Sequence, residues 1–202
     1  MEKKQKEIRQ IDVKSIETRS LDENREVVIE GYINRFNQQS EYLGFYEKVA
    51  PDAFTRSLKE RENIMALYNH DGGKPLGRTD NGSLELWTDK VGLRFRLKPN
   101  MNLFYVQDVM ELIKTDEVRG CSFGFFCVDD EKEVVDGVVH RTLKDVELFE
   151  VTITPDPAYL DSSVAVSKRS MEDFKNNLEQ DAQKEEQRKI ELELLGLELE
   201  FY

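Results

Sequence analysis

Cysteine, histidine, proline and tryptophan are all scarce: two, two, five and one among 202 residues. The two thiols, Cys121 and Cys127, lie in one strand-like run and cannot build a disulfide framework. No Cys/His spacing resembles a zinc site, so neither a metal nor an organic cofactor is expected. No apolar run is long enough to span a bilayer. The opening Met1-Glu2-Lys3-Lys4-Gln5-Lys6 leads into a polar stretch without the apolar centre of a signal peptide. Basic charge is also short. Against 41 Asp and Glu stand 29 Lys and Arg, giving a net charge of -12 with no Lys/Arg stripe to offset it. That balance argues against a nucleic-acid surface. These absences describe a soluble protein of a reducing cytoplasm with no nucleic-acid or membrane partner. Histidine-dependent chemistry, if there is any, must choose between His70 and His140.

The chain suits one domain with a core and an appendage. Residues 1–10 are charged and expected to be a flexible N-terminus, 11–166 form the domain, and 167–202 form a charged helical or disordered arm. Within the domain, Val27-Val28-Ile29-Glu30-Gly31-Tyr32-Ile33 is rich in β-branched residues and reads as a strand. Ala50-Pro51-Asp52-Ala53-Phe54 opens a short helix that places Phe54 and Leu58 on one face. Asn63 to Tyr68 is a compact buried strand that breaks at an Asn-His-Asp-Gly-Gly turn. Asn81-Gly82 and Asp136-Gly137 are hairpin signals. Leu84 to Trp87 and Leu93 to Leu97 alternate as half-buried strands do. Asn102 is the expected N-cap of a helix with a Leu103, Val106, Met110, Ile113 stripe. Strands follow at Ser122–Val128 and Asp145–Thr154. From Ser167 the composition turns charged and Gln-rich, with only a thin Met171, Phe174, Leu178 stripe. The last residues, Ile190 to Tyr202, fit a docking peptide or a return to the core equally well.

Three stretches carry possible chemistry. Ser122 stands in Gly120-Cys121-Ser122-Phe123-Gly124-Phe125, His70 stands in the turn after Tyr68, and carboxylates interrupt the apolar run Val146-Glu147-Leu148-Phe149-Glu150-Val151. A serine nucleophile, a histidine base and an orienting carboxylate are the minimum equipment for acyl transfer, which makes a serine protease the first reading. No Gly-x-Ser-x-Gly elbow is present, which argues against an α/β-hydrolase. Alternation puts Ser122, Gly124 and Phe126 on one strand face and Cys121, Phe123 and Phe125 on the other. Gly124 then leaves room beside the hydroxyl for a substrate, and Cys121 reads as a small core residue. The loop setting of His70 favours it over His140. Asp145, Glu147 and Glu150 are the candidates for the orienting group. Alternation places Glu150 with Val146 and Leu148 on an apolar face, where it needs a partner: a histidine, or an arginine such as Arg94, Arg96 or Arg141.

The succession of Gly31-Tyr32, Glu47-Lys48-Val49-Ala50-Pro51-Asp52-Ala53-Phe54, Asn69-His70-Asp71, Lys74-Pro75-Leu76-Gly77-Arg78-Thr79, Gly92-Leu93-Arg94-Phe95, Ser122-Phe123-Gly124-Phe125, Arg141-Thr142-Leu143, Leu148-Phe149-Glu150-Val151 and Pro157-Ala158-Tyr159 resembles the prohead proteases of tailed bacteriophages. The resemblance covers roughly residues 27 to 166, in order. It implies an α+β fold like that of herpesvirus assemblin: a small, mainly antiparallel β-barrel flanked by helices. It also implies His70 as the base, Ser122 as the nucleophile and Glu150 as the third member, with Asp145 the alternative under a looser alignment. His140 falls outside the motif.

By the same resemblance the chain is a serine endopeptidase that acts inside the assembling procapsid, in the host bacterial cytoplasm. Its implied substrates are scaffold, or the scaffolding region of the major capsid protein, and the protease itself. A homodimer is implied only by analogy with the herpesvirus enzymes. Oxyanion donors are placed in the loop following Thr154, and the arm from Ser167 onward is read as a targeting segment that is later trimmed. The alternative is a catalytically inactive capsid-assembly scaffold or chaperone on the same fold.

Overall fold

The computed structural model describes residues 5–11, 17–21, 26–155 and 173–191. In chain order the elements are β1 (Lys6–Ile11), β2 (Glu17–Leu21), β3 (Glu26–Arg35), β4 (Tyr46–Val49), α1 (Thr55–Glu60), β5 (Met65–Tyr68), β6 (Asp71–Arg78), β7 (Leu84–Thr88), β8 (Gly92–Leu97), α2 (Phe104–Lys114), β9 (Gly120–Val135) and β10 (Val138–Thr154). A third helix, α3, covers residues 173–191. The fold is α+β and mostly strand, as expected.

The strands form two sheets. One is six-stranded, in the order β1-β9-β10-β5-β6 with β4 also on β10; the other is four-stranded, in the order β2-β3-β8-β7. Both contribute to one apolar cluster, where Ile29, Ile33, Phe95 and Leu97 from one sheet meet Phe123, Phe125, Leu148 and Ile153 from the other. Phe54, just before α1, turns its ring edge to Phe123 at 5.5 Å, and Phe123 stacks on Phe125 at 5.2 Å. Aromatic pairs of this kind add to the value of the buried area alone.

The strands expected to form one small barrel lie in two sheets around a shared core. At Asn81-Gly82 the chain turns tightly, with Gly82 at φ +74°. Yet β6 pairs with β5 and β7 pairs with β8, so this turn passes the chain between sheets. The same kind of signal at Asp136-Gly137 does make a hairpin. Both residues take positive φ, and Val135 pairs with Val138 across a two-residue loop.

The long strand β10 organises the site's side of the molecule. One edge pairs with β9 along its length, and the other serves β4 at residues 140–143 and β5 at residues 150–153, both parallel. Between those two segments the segment around α1 satisfies the backbone: Leu143 O accepts from Ala50 N, Val146 N donates to Ala53 O at 3.0 Å, and Leu148 N donates to Ser57 Oγ at 2.7 Å. The buried run of β10 is thus fixed on both sides.

Two local expectations change. Residues 6–10 are not frayed, because Lys6–Ile11 pairs antiparallel with residues 121–126 of β9 and buries Glu7 and Arg9. The N-cap of α2 is Leu103 rather than Asn102; Asn102 N is drawn instead to Asn100 Oδ1 at 3.1 Å, which starts the helix one residue later. Of the charged arm, α3 is solvated along most of its length. Its half-buried Phe174 joins Leu43, Phe45 and Val139, and Lys175 Nζ donates to Gly137 O at the β9–β10 turn. The docking stretch beyond residue 191 lies outside the described residues, as does Pro157-Ala158-Tyr159.

Candidate active site

The hairpin between β5 and β6 is as tight as a hairpin can be. Tyr68 pairs with Asp71, so only Asn69 and His70 form the loop, at φ 51° and 57°. Two successive left-handed residues are the requirement of a type I′ turn, and Asn and His tolerate that region better than most side chains. The turn is fastened to the end of β10. Asn69 N donates to Ile153 O at 3.0 Å, His70 N to Thr152 Oγ1 at 3.3 Å, and Thr154 Oγ1 to Asn69 Oδ1 at 3.1 Å. His70 is therefore held against the strand that carries Glu150.

Ser122 comes from β9, opposite Thr152, and Glu150 lies opposite Gly124. The histidine lies between serine and carboxylate. Its Nδ1 is 2.7 Å from Glu150 Oε1, and its Nε2 is 2.8 Å from Ser122 Oγ. In the tautomer with hydrogen on Nδ1, the ring donates to the carboxylate and Nε2 is free to accept the hydroxyl proton. The ring is largely buried, with a side-chain exposure of 8 %, and Glu150 is at 4 %. Ser122 is fully buried.

Strict alternation misplaces Glu150. Leu148 and Val151 both sit in the apolar core, so the strand gains one residue between them, and the β9–β10 register shifts between Leu148 and Glu150. The irregularity turns Glu150 to the Ser122 face, together with Thr152 and Thr154. Of the partners expected for it, His70 is the one it meets. Arg96 bonds Glu30, Arg141 bonds Glu7, Glu47 and Asp130, and Arg94 lies over the rings of Tyr32 and Trp87.

Gly124 also has a different purpose from the one expected. A Cβ there would lie 2.7 Å from Glu150 Cγ and 2.7 Å from a ring carbon of Phe149. The space beside the serine holds the carboxylate side chain, not a substrate. The sequence carried a hint of this, since a glycine inside a strand marks a close approach of something.

The remaining candidates are placed elsewhere. Asp145 accepts from Arg56 Nε at 2.7 Å and Glu147 from Arg61 Nη1 at 3.1 Å, and neither is bonded to His70. His140 packs its ring at a tilt against Tyr46 at 5.1 Å, ten residues along β10 from Glu150, or about 30 Å at the rise of a strand. Cys121 is in the core, and burial pushes its thiol up to about 12, far from a thiolate nucleophile. Thr152 and Asn69, which hold the turn, escaped the sequence reading; the period-two spacing of Glu150, Thr152 and Thr154 was the available signal. The loop after Thr154 proposed for oxyanion donors lies outside the described residues from 156 onward.

A buried hydroxyl, imidazole and carboxylate in one hydrogen-bonded line, contributed by three separate segments, is the geometry that serine hydrolases use. Comparison with known proteins narrows the class. The family model described as caudovirus prohead serine protease matches residues 14–177, and the chain belongs to that family. The prohead protease of Escherichia phage T5 is 27% identical over 117 residues, which cover 58% of this chain and 50% of that protein. The chain thus matches about half the length of that curated relative. No solved structure matches the chain, and the likeness to herpesvirus assemblin is carried by the sequence resemblance alone.

Proposed function

We propose that the protein is a serine endopeptidase in which Ser122 is the nucleophile, His70 the general base and Glu150 the group that orients the imidazole. The observation that carries this reading is the line Glu150 Oε1, His70 Nδ1, His70 Nε2, Ser122 Oγ, closed at 2.7 and 2.8 Å. His70 takes the hydroxyl proton as Ser122 Oγ attacks a peptide carbonyl carbon, then returns it to the leaving amine. Glu150 keeps the proton of Nδ1 directed at itself and stabilises the imidazolium that forms. Water completes the cycle by hydrolysing the acyl-enzyme.

Membership of the prohead protease family supports a role in capsid maturation. The substrates are scaffold, or the scaffolding region of the major capsid protein, and the chain's own arm within 167–202, cut inside the procapsid. Exposure of α3 along most of its length suits a segment that is presented for cleavage. Co-expression with the major capsid protein tests the reading. The native chain yields shortened capsid protein that Ser122→Ala does not; identical products from both would leave the chain a non-catalytic assembly protein.

A further inference from the structure

The nucleophile has a second neighbour. Besides His70, the Ser122 hydroxyl meets the backbone carbonyl of Arg9, to which it donates at 2.9 Å. A hydroxyl has one proton, so His70 Nε2 and Arg9 O compete for it. When the proton goes to Arg9 O it is not directed at the base, and the serine is not activated. The carbonyl of the Arg9–Gln10 peptide group thus takes up room directly beside Oγ.

Three further observations concern the strand that supplies this carbonyl. First, β1 is an edge strand whose register runs Lys6↔Phe126 to Ile11↔Cys121, with Gln10 opposite Ser122. Second, the family match begins at residue 14 and so does not include β1, which here covers the edge of β9 beside the serine. An unpaired strand edge is a template for an extended peptide. Third, β1 is anchored by side chains. Arg9 bonds Glu47 at 2.5 and 3.0 Å and Glu7 at 2.6 Å, and Arg141 bonds Glu7 at 2.6 and 3.0 Å. On its other face Lys6 Nζ lies 3.5 Å from Glu150 Oε1 and over the ring of Phe149 at 4.7 Å.

We infer that β1 is an intramolecular strap occupying the substrate's edge of β9, and that a polypeptide substrate adds to residues 121–126 only when β1 leaves. This inference rests on Ser122 being the nucleophile. Substrate access is then governed by the fraction of molecules in which β1 is detached, and the Glu7–Arg9 anchor sets that fraction. The strap explains how a complete Ser–His–carboxylate line coexists with a fully buried hydroxyl.

The test is the rate at which a fluorophosphonate probe labels Ser122 in the full chain, with amide hydrogen exchange of residues 6–11 measured in parallel. Two variants move the strap in opposite directions. Glu7→Gln with Arg9→Met removes one charge of each sign from the anchor, and labelling and β1 exchange both rise, by about fivefold or more. Lys6→Cys with Phe126→Cys, in a Cys127→Ser background, joins directly paired residues at a separation a disulfide can span. Its oxidised form labels at least about tenfold more slowly than its reduced form. The second comparison is made within one folded protein, so it stands even if the first variant misfolds. Equal labelling of the oxidised and reduced forms overturns the strap and leaves the serine-protease reading intact. Faster labelling without faster β1 exchange also overturns it. Absence of labelling in every folded form overturns the nucleophile assignment, and the strap with it.

Discussion

The two faces of the six-stranded sheet both bury charge, and they do so in opposite ways. On the core face, Glu7, Arg9, Glu47, Asp130 and Arg141 form a saturated cluster in which the two guanidiniums bond all three carboxylates. Burial opposes the charged form of Arg141, but its hydrogen bond to Glu7 and the fields of Glu47 and Glu7 outweigh that and raise its affinity for the proton. Nothing there has a proton to give away. On the other face, one carboxylate, one imidazole and one hydroxyl share protons that have alternative acceptors. One sheet thus keeps fixation and the candidate catalytic line on opposite faces. A cluster with every donor matched holds strands in place, whereas a line with a choice of acceptor can transfer a proton.

Perturbing each face in turn sharpens that contrast, and the largest effect is expected on the chemical side. Glu150→Gln keeps the shape but loses the charge proposed to orient His70, and peptide cleavage should fall by about 10⁴-fold with the denaturation midpoint almost unchanged. A loss of stability that matches the loss of rate would erase the distinction between the faces. Arg141→Met leaves Glu7, Glu47 and Asp130 short of a shared cation. Urea unfolding should show a loss of about 3–5 kcal/mol, as for other broken buried ion pairs.

Gly124→Ala touches both accounts, because the added methyl meets Glu150 and Phe149. Cleavage should drop by about 10²-fold as the carboxylate moves off His70, alongside a stability cost of about 1–3 kcal/mol from overpacking. An unchanged rate would mean that Glu150 is not held where it matters. The smallest effect concerns Asp89, in the β7–β8 turn. Burial pushes its carboxyl up, but bonds from the Tyr32 hydroxyl, Val91 N and Gly92 N, with the charge of Arg94, bring it below the ordinary value. Its contribution is present above the ordinary carboxylate range and is lost as pH falls through the depressed value. Asp89→Asn should flatten that acid limb of the stability profile without changing the rate of cleavage.

Much of the candidate site's geometry was legible in the sequence, and the physical reasons for the rest are specific. Alternation around Ser122 separated it correctly from Cys121, because β9 is regular there and Phe123 and Phe125 fill the core. The turn after Tyr68 was legible as the end of an apolar run, but its length was not: Gly72 and Gly73, read as part of it, belong to β6 and only Asn69 and His70 turn. Alternation failed for Glu150, since an irregularity at Phe149 reverses the faces and nothing local in a run of apolar and acidic residues announces it. The charged cluster was invisible for another reason. Its members come from β1, β4, β9 and β10 and meet only through the tertiary fold. Likewise the charged composition of residues 6–10 suggested fraying, while the burial of Glu7 and Arg9 depends on partners more than thirty residues away. In the fold, the Asn81-Gly82 signal fixed a turn but could not say which strands would pair across it.

The most direct test of the central claim is mass spectrometry of the purified chain incubated with the major capsid protein, for the native sequence and for Ser122→Ala. The native chain should yield discrete shortened products of the capsid protein and of its own 167–202 arm, and Ser122→Ala should leave both intact. Identical products from the two proteins, or none from either once β1 is loosened by Glu7→Gln with Arg9→Met, would contradict the assignment of Ser122, His70 and Glu150 as a proteolytic site.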